Sequence, residues 1–553
     1  MGITKRVNPT LRSNQDQTKR TQKQMKSLKW NKWPYEATIV RWSAILLMAQ
    51  TMFLLRSRAQ TTEKSATPSK EIPDAGITSA VEDGFIFEKG VFWNDVDVAT
   101  SQGIVTLSGS VDNLLVKKRA VKIAESTRGV RGVIDRTTVT PVSRLDDDVR
   151  KDILAALTQD PATDSYQVAA SVKDGVVTLT GSLGSYPEKQ LAARICEGVK
   201  GIKEVHNDVT IKYQAKRTDA EIDADVESRL RWDIWINGDL VSATVKDGKV
   251  TLTGTVGSAI SKSRASDDAW LNGVTGVDAS GLTVEPSAHQ DVRRKSKLPE
   301  RADGEIMGAV VAALRLDPRV SAFSPEVTVE DGVVVLGGAV ENLKAKTAAE
   351  QDAKNVVGVW QTDNLLKVRP MGQPTSAGME QQLKAALRWD PLLDSSRIDV
   401  AVINRVAYLS GTVDSNFEKA EGQDVASRIE GVVLVRNHLK IEPEFAITYY
   451  DWPNYYYDFP YYNRSPEFAS ETFEAQSYLS DEQIKKKIEH AFFWSPFLDK
   501  GDIAVAVHGG VATLTGTVGT WIGWGEADKD ARKSGAADVI NRVEIKKGAW
   551  SWL

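Results

Sequence analysis

The sequence predicts an α+β protein built as a tandem array of six small modules, each running helix, strand, strand, helix, strand. A glycine recurs at the end of the second strand of every copy, at Gly109, Gly181, Gly254, Gly338, Gly411 and Gly516, and an apolar residue stands 24 positions before each: Phe85, Leu157, Leu230, Leu314, Leu387 and Phe492. That residue closes a stripe at i, i+4 and i+8, from Ile77/Val81/Phe85 to Ile484/Ile488/Phe492, which keeps one helix face apolar and so buries it. Five copies carry a further glycine six positions before the marker (Gly103, Gly175, Gly248, Gly332, Gly510), three of them in Asp-Gly pairs. A tight hairpin turn needs positive φ at both central residues, which Asp tolerates and Gly adopts freely. Copy five has Arg405 at this place, which predicts a turn of another type.

The order along the chain follows from this register. Residues 1–59 hold 12 Lys/Arg against Asp16 and Glu36, and then Trp42 to Leu55 is a run of 14 uncharged residues ending near Ser57-Arg58-Ala59. A run that short is a poor membrane span but fits the core of an export signal, with small residues allowing cleavage after Ala59. The expected address is the periplasm, soluble after cleavage near Ala59 or tethered to the inner membrane by Trp42 to Leu55. A buried helix or a mis-assigned start are the plain alternatives. Residues 60–73 read as a polar linker.

The modules are placed at 74–142, 144–213, 218–286, 302–370, 375–443 and 479–548. Copy one has a weak first helix, with Gly84 where a helix former is preferred. In copy two, Pro187 stands near the start of the second helix, where its missing N–H does no harm. Residues 287–301 form a basic linker containing Arg293, Arg294, Lys295 and Lys297, read as a solvated connection or as a contact for anionic lipid. The second helix of each copy ends near a glycine (Gly129, Gly201, Gly273, Gly358, Gly431, Gly535) that supplies a left-handed cap. Asn207, Asn364, Asn437 and Asn541, with Asp135, follow six residues on and are expected to take unusual backbone angles as the last strand begins.

Residues 444–478 break the pattern. Seven of the 13 tyrosines lie between Tyr449 and Tyr462, Tyr455, Tyr456 and Tyr457 among them, with Pro453 and Pro460. Clustered aromatics and prolines at no regular period exclude a continued helix or central strand. A strap over neighbouring modules, a stacking surface for sugars and a membrane anchor all remain open.

Composition narrows the function. Outside the first 59 residues, 58 Lys/Arg stand against 72 Asp/Glu, a net of −14, so a large basic footprint for nucleic acid or anionic lipid is lacking. Cys196 is the single cysteine, so no disulfide forms within the chain, and its place beside Leu191 and Ile195 gives it a core role. Each module of about 65 residues buries only about 60% of its unfolded surface, so neighbours are expected to help.

Nucleophile, metal and phosphate-loop motifs are absent from the sequence, and the five histidines share no repeat position, so no catalytic residues, metal or cofactor are assigned. One repeated feature stands out two residues beyond the last stripe position of the first helix: Phe87, Gln159, Trp232, Leu316, Trp389 and Trp494. Packing against the adjacent loop is the plain reading; contact with lipid or with another module is the alternative.

The runs Gly103-Ile104-Val105-Thr106-Leu107-Ser108-Gly109, Gly175 to Gly181 and Gly248 to Gly254, with Gly201-Ile202-Lys203-Glu204-Val205-His206-Asn207, resemble the BON domain. That family occurs in osmotically induced periplasmic and transport-associated bacterial proteins. The resemblance implies a three-stranded mixed sheet backed by two helices, no catalytic residues, and binding of phospholipid or envelope partners. A non-enzymatic envelope protein is thus expected, with membrane lipid or envelope protein as partner, no nucleic acid, and self-association possible; a structural adaptor is the alternative. The contact residues assigned are Trp232, Trp389, Trp494, Arg293, Arg294, Lys295, Tyr455, Tyr456 and Tyr457.

Overall fold

A computed structural model describes residues 72–86, 95–160, 162–163, 166–213, 216–285, 301–321, 323–370, 372–442, 479–498 and 501–545. The N-terminal stretch read as an export signal or anchor, the basic linker with Arg293, Arg294 and Lys295, and the aromatic stretch with Tyr455, Tyr456 and Tyr457 lie outside the described residues. All six modules have the expected order. Copy one shows it: helix Asp74–Ile86, strands Val96–Ser101 and Ile104–Val111, helix Leu114–Glu125, strand Gly132–Val139. The second strand is central, antiparallel to the first and parallel to the third.

Each module closes its own core. The helix stripe, the inward positions of the central strand and small residues of the second helix meet there, as Ile77, Val81, Phe85, Val105, Leu107, Ala120 and Ala124 do in copy one. Burying each large apolar side chain contributes roughly 1.5–3 kcal/mol. Cys196 lies fully buried in the core of copy two, and burial pushes its thiol up to about 12, out of the reactive range.

The marker glycines follow from close approach. Gly109 has φ +109°, and a Cβ there would stand 2.1 Å from the carbonyl oxygen of Asp95, at the start of the paired strand. The strand runs two residues past this glycine, to Val111, so the marker sits just inside its end. In copy four the strand is interrupted there, between Val333–Gly337 and Ala339–Val340. Gly84 likewise has a reason that helix propensity did not suggest, since a Cβ would lie 2.7 Å from Ile123 on the other helix of copy one.

Two expectations are corrected. The hairpin turn of copy five is of the same kind as the others, with Asn404 at φ +50° and Arg405 at φ +65°, beside Asp174 at +53° and Gly175 at +77° in copy two. Register fixes the turn, and the arginine conforms to it. The asparagines of the last strand do not take left-handed angles; they work through their side chains. Asn207, Asn364, Asn437 and Asn541 donate from Nδ2 to carbonyls of their own second helices (Lys189, Lys346, Lys419, Trp524), at 2.7 to 3.1 Å, and so tie strand to helix.

The sequence reading missed a clamp at the hairpin. In five copies the first residue of the first helix is aspartate, and its two oxygens accept the two turn N–H groups: Asp74 from Gln102 and Gly103, Asp219 from Asp247 and Gly248. The signal was present, since Asp74, Asp146, Asp219, Asp303 and Asp481 all stand 11 residues before the last stripe position. Copy five has Ser376 there.

Candidate functional site

Beyond its own core, each module also packs on other copies. Trp232 of copy three packs on the core of copy four, Trp389 of copy five on that of copy two, and Trp494 of copy six on that of copy one. Each tryptophan carbonyl accepts a backbone N–H from the residue just before the partner's cap glycine: Val357 at 2.9 Å, Lys200 at 2.8 Å and Arg128 at 2.7 Å. The same bond therefore repeats three times, pairing copies three with four, two with five and one with six. Every pair joins one tryptophan copy to one that has Leu316, Gln159 or Phe87 at that place.

Side chains lock the pairs. Lys200 Nζ donates to the carbonyl of Leu393, and the Arg128 guanidinium to that of Ser495. Asp233 bridges to Val356 through the backbone, and Trp235 donates to Asn355.

Second helices make the other contacts. Among copies one to three, Lys118 pairs with Glu197 at 2.6 Å, Glu125 accepts from Ser263, and Tyr186 stacks on Trp270 with centroids 3.9 Å apart. Among copies four to six, Lys344 pairs with Asp424, Lys354 sits over Trp521, and Asn416 donates to the carbonyl of Ala536. Copies one to three thus touch all round, as do four to six, and the tryptophan pairs join the two triplets.

The joined faces are charged. Copies two to five end their first helix on Asp160, Asp233, Asp317 and Asp390, and one oxygen of each accepts the backbone N–H two residues on. The second oxygen of Asp233 meets Arg264 at 2.7 Å, and Arg229 reaches Asp268 at 3.1 Å. Burial, and then Asp268, push Asp233 up to about 7 in spite of Arg264. Burial, and then Glu421, push Asp390 likewise to about 7. For Asp424 burial acts in the same sense, but Arg428 and Lys344 override it and hold the carboxyl at about 2. Ion pairs buried this way add little net stability, yet removing one partner leaves a charge uncompensated at a cost of several kcal/mol. The Asp233–Arg264 and Arg229–Asp268 pairs lie within copy three, whereas Lys344–Asp424 crosses from copy four to copy five and so bears on the choice of partner.

Of the contact residues expected from sequence, the structure therefore places Trp232, Trp389 and Trp494 half-buried against other modules. Five of the six marker glycines lie within the central strand, and Gly338 at the break in that of copy four. The C-cap aspartates were not singled out beforehand, although their place three residues beyond the stripe is kept in four copies. Among the described residues no group of His, Cys, Asp and Glu could hold a metal ion, and no helix is long and apolar enough to cross a membrane.

The arrangement is a tandem array of αββαβ units, each with one central strand, joined to one another along the chain. The family model described as the BON domain matches residues 73–141, 145–213, 218–286, 302–370, 375–443 and 480–547, and the chain belongs to that family. It is 30% identical over 172 residues to osmotically-inducible protein Y of Escherichia coli, covering 28% of this chain and 86% of that one. It is also 28% identical over 153 residues to an uncharacterized protein of Anaplasma centrale, covering 26% of this chain and 99% of that one. The C-terminal domain of CdsD, a structural protein of the type III secretion system of Chlamydia trachomatis, is 16% identical, with 40% of this chain and 98% of that chain covered and a TM-score of 0.12. At that score the likeness carries no argument.

Proposed function

We propose that this protein is an exported, non-enzymatic envelope component that binds membrane surface or envelope partners during osmotic or related stress. The observation that carries the reading is the kinship with a protein named for osmotic induction, of which the chain spans 86%. The basic start and the uncharged run Trp42 to Leu55 support export to the periplasm. With an acidic body, contact with anionic lipid must be local, through Arg293, Arg294, Lys295 and Lys297 or through the aromatic stretch around Tyr455, Tyr456 and Tyr457. Growth of a deletion strain under hyperosmotic challenge tests the role, and sedimentation of the purified protein with liposomes tests the partner. Normal growth together with no sedimentation would sink the proposal. Salt-sensitive sedimentation lost on neutralising the four basic residues would point to charge, because screening acts on exposed charges and hardly on buried rings.

The tryptophan pairing favours a second reading. Modules that bind one another through three tryptophan pairs within a chain are equipped to bind modules of other chains, which makes a structural adaptor. Capture of separately expressed BON modules by the intact protein would support it; a monomer that captures none would count against it.

A further inference from the structure

We infer that the outer face of the copy-five sheet is the seat of this chain's own aromatic stretch, Tyr449 to Tyr462. In each copy the helices close the core against one face of the sheet. The other face meets water, which calls for polar side chains on the outer side of the strands. Those side chains stand in rows across the sheet. In copy five the row beside the hairpin is Ile403, Val406 and Leu434, and the next is Ala401, Tyr408 and Arg436. Ile403 is 56% exposed, Leu434 38% and Tyr408 36%. The flanking places of the first row hold Lys173 and Glu204 in copy two, Glu330 and Gln361 in copy four, and His508 and Asp538 in copy six. In copies one and three they hold Ser101 with Gly132 and Lys246 with Gly276. Among the described residues, only copy five flanks this row with two large aliphatic side chains. Exposed apolar side chains scattered singly need no partner, whereas a contiguous group rimmed by polar residues marks a contact.

The occupant follows from where the chain goes next. The aromatic stretch lies outside the described residues and leaves directly from this module. Copy five ends at Glu442, whose N–H donates to the carbonyl of Val413 at 2.8 Å, at the far end of the central strand. The way back from Val413 to Val406 is seven strand residues, roughly 23 Å. Seven residues on from Glu442 stands Tyr449. The 36 residues between Glu442 and Leu479 span up to about 120 Å when extended, so the stretch can double back over the sheet and still reach copy six. Charge agrees with this seat. Tyr449 to Tyr462 carries Asp451 and Asp458 and no lysine or arginine, and the face offers the exposed Arg436 beside Tyr408. The face's own carboxylate, Asp399, stands one row further from the hairpin, opposite Ser410. Tyrosine rings bury apolar area against aliphatic side chains while their hydroxyls stay in water. The inference goes beyond the function proposed above. It takes the aromatic stretch out of the lipid contacts named there and leaves the basic linker.

The test is chymotryptic cleavage of the full-length protein, followed at Tyr449 to Tyr462 by mass spectrometry, in the parent and in Ile403→Lys with Leu434→Glu. The double variant gives copy five the flanking residues that copy two carries at the same places, a row this fold accepts. The stretch should be cut slowly in the parent and about tenfold or more faster in the variant, since cleavage follows the population of the released form and two buried aliphatic side chains hold it by more than a decade. Cleavage elsewhere in the chain should be unchanged, which separates release of the stretch from unfolding of copy five. Tyr408→Thr, which restores the threonine of copies one, two, three and six (Thr106, Thr178, Thr251, Thr513), should speed cleavage in the same sense and serves where the double variant is less stable. Equal rates at the stretch in parent and variants overturn the proposal. Sedimentation covers the other occupants. A parent dimer that the double variant turns into a monomer assigns the face to a second copy, and binding to phosphatidylglycerol vesicles that the variant abolishes assigns it to a membrane; either result overturns the proposal.

Discussion

At Arg405 a side chain accepts the conformation its position demands. A left-handed residue with a Cβ costs roughly 1–2 kcal/mol, whereas glycine adds about 0.5–1 kcal/mol of chain entropy on folding. The first term wins, so Arg405→Gly should stabilise copy five by about 0.5–1 kcal/mol, seen as a later denaturant midpoint at unchanged slope. A midpoint that falls would mean the arginine side chain matters more than its backbone. Asp233 gives a pH prediction. Its folded pKa of about 7 lies above the unfolded value, so the stability it contributes is full below about pH 4 and is lost as pH rises through 7. Asp233→Asn removes that titration. The variant loses the Arg264 partnership at all pH values, but its stability should fall less than that of the parent between pH 4 and 7. Parallel pH curves would refute the raised pKa.

At the scale of elements, the modules could be read from the sequence and their partners could not. The helix stripe and the glycines answer to each copy's own core and sheet, so they recur at fixed spacing and show themselves in one chain. Pairing depends on what remains, a tryptophan here and Gln159 or Leu316 there, and only the assembled faces say which copy meets which. The tryptophans were visible as a repeated place without a partner. Trp232→Ala should cost about 1–3 kcal/mol for a half-buried ring. The loss should fall on copies three and four, read by hydrogen exchange at Val357 and Ile234, whose N–H groups bond across that interface. Loss of protection confined to copy three would show that the ring serves its own module.

On the scale of the whole molecule the pairs are nested: three with four, two with five, one with six. The middle pair is joined by the shortest route and the outer pair by the longest. Deleting residues 479–553 should therefore uncover copy one, and with it the junction of copies three and four, where Phe497 and Ile522 pack on Ile234 and Val357, while leaving the seam between copies two and five protected, a pattern that hydrogen exchange at Lys200, Val357 and Arg128 reads directly. Uniform loss of protection would mean that the six modules unfold as one unit.

Nesting also sets a clock. Arg128 and Ser495 are separated by 367 residues, and chains are synthesised at about 5–20 residues per second. Copy one thus emerges from the ribosome roughly 20–70 s before its partner exists. For that interval the apolar seat of Trp494 on copy one stands uncovered, and the last of the six modules to be made is the one that closes it.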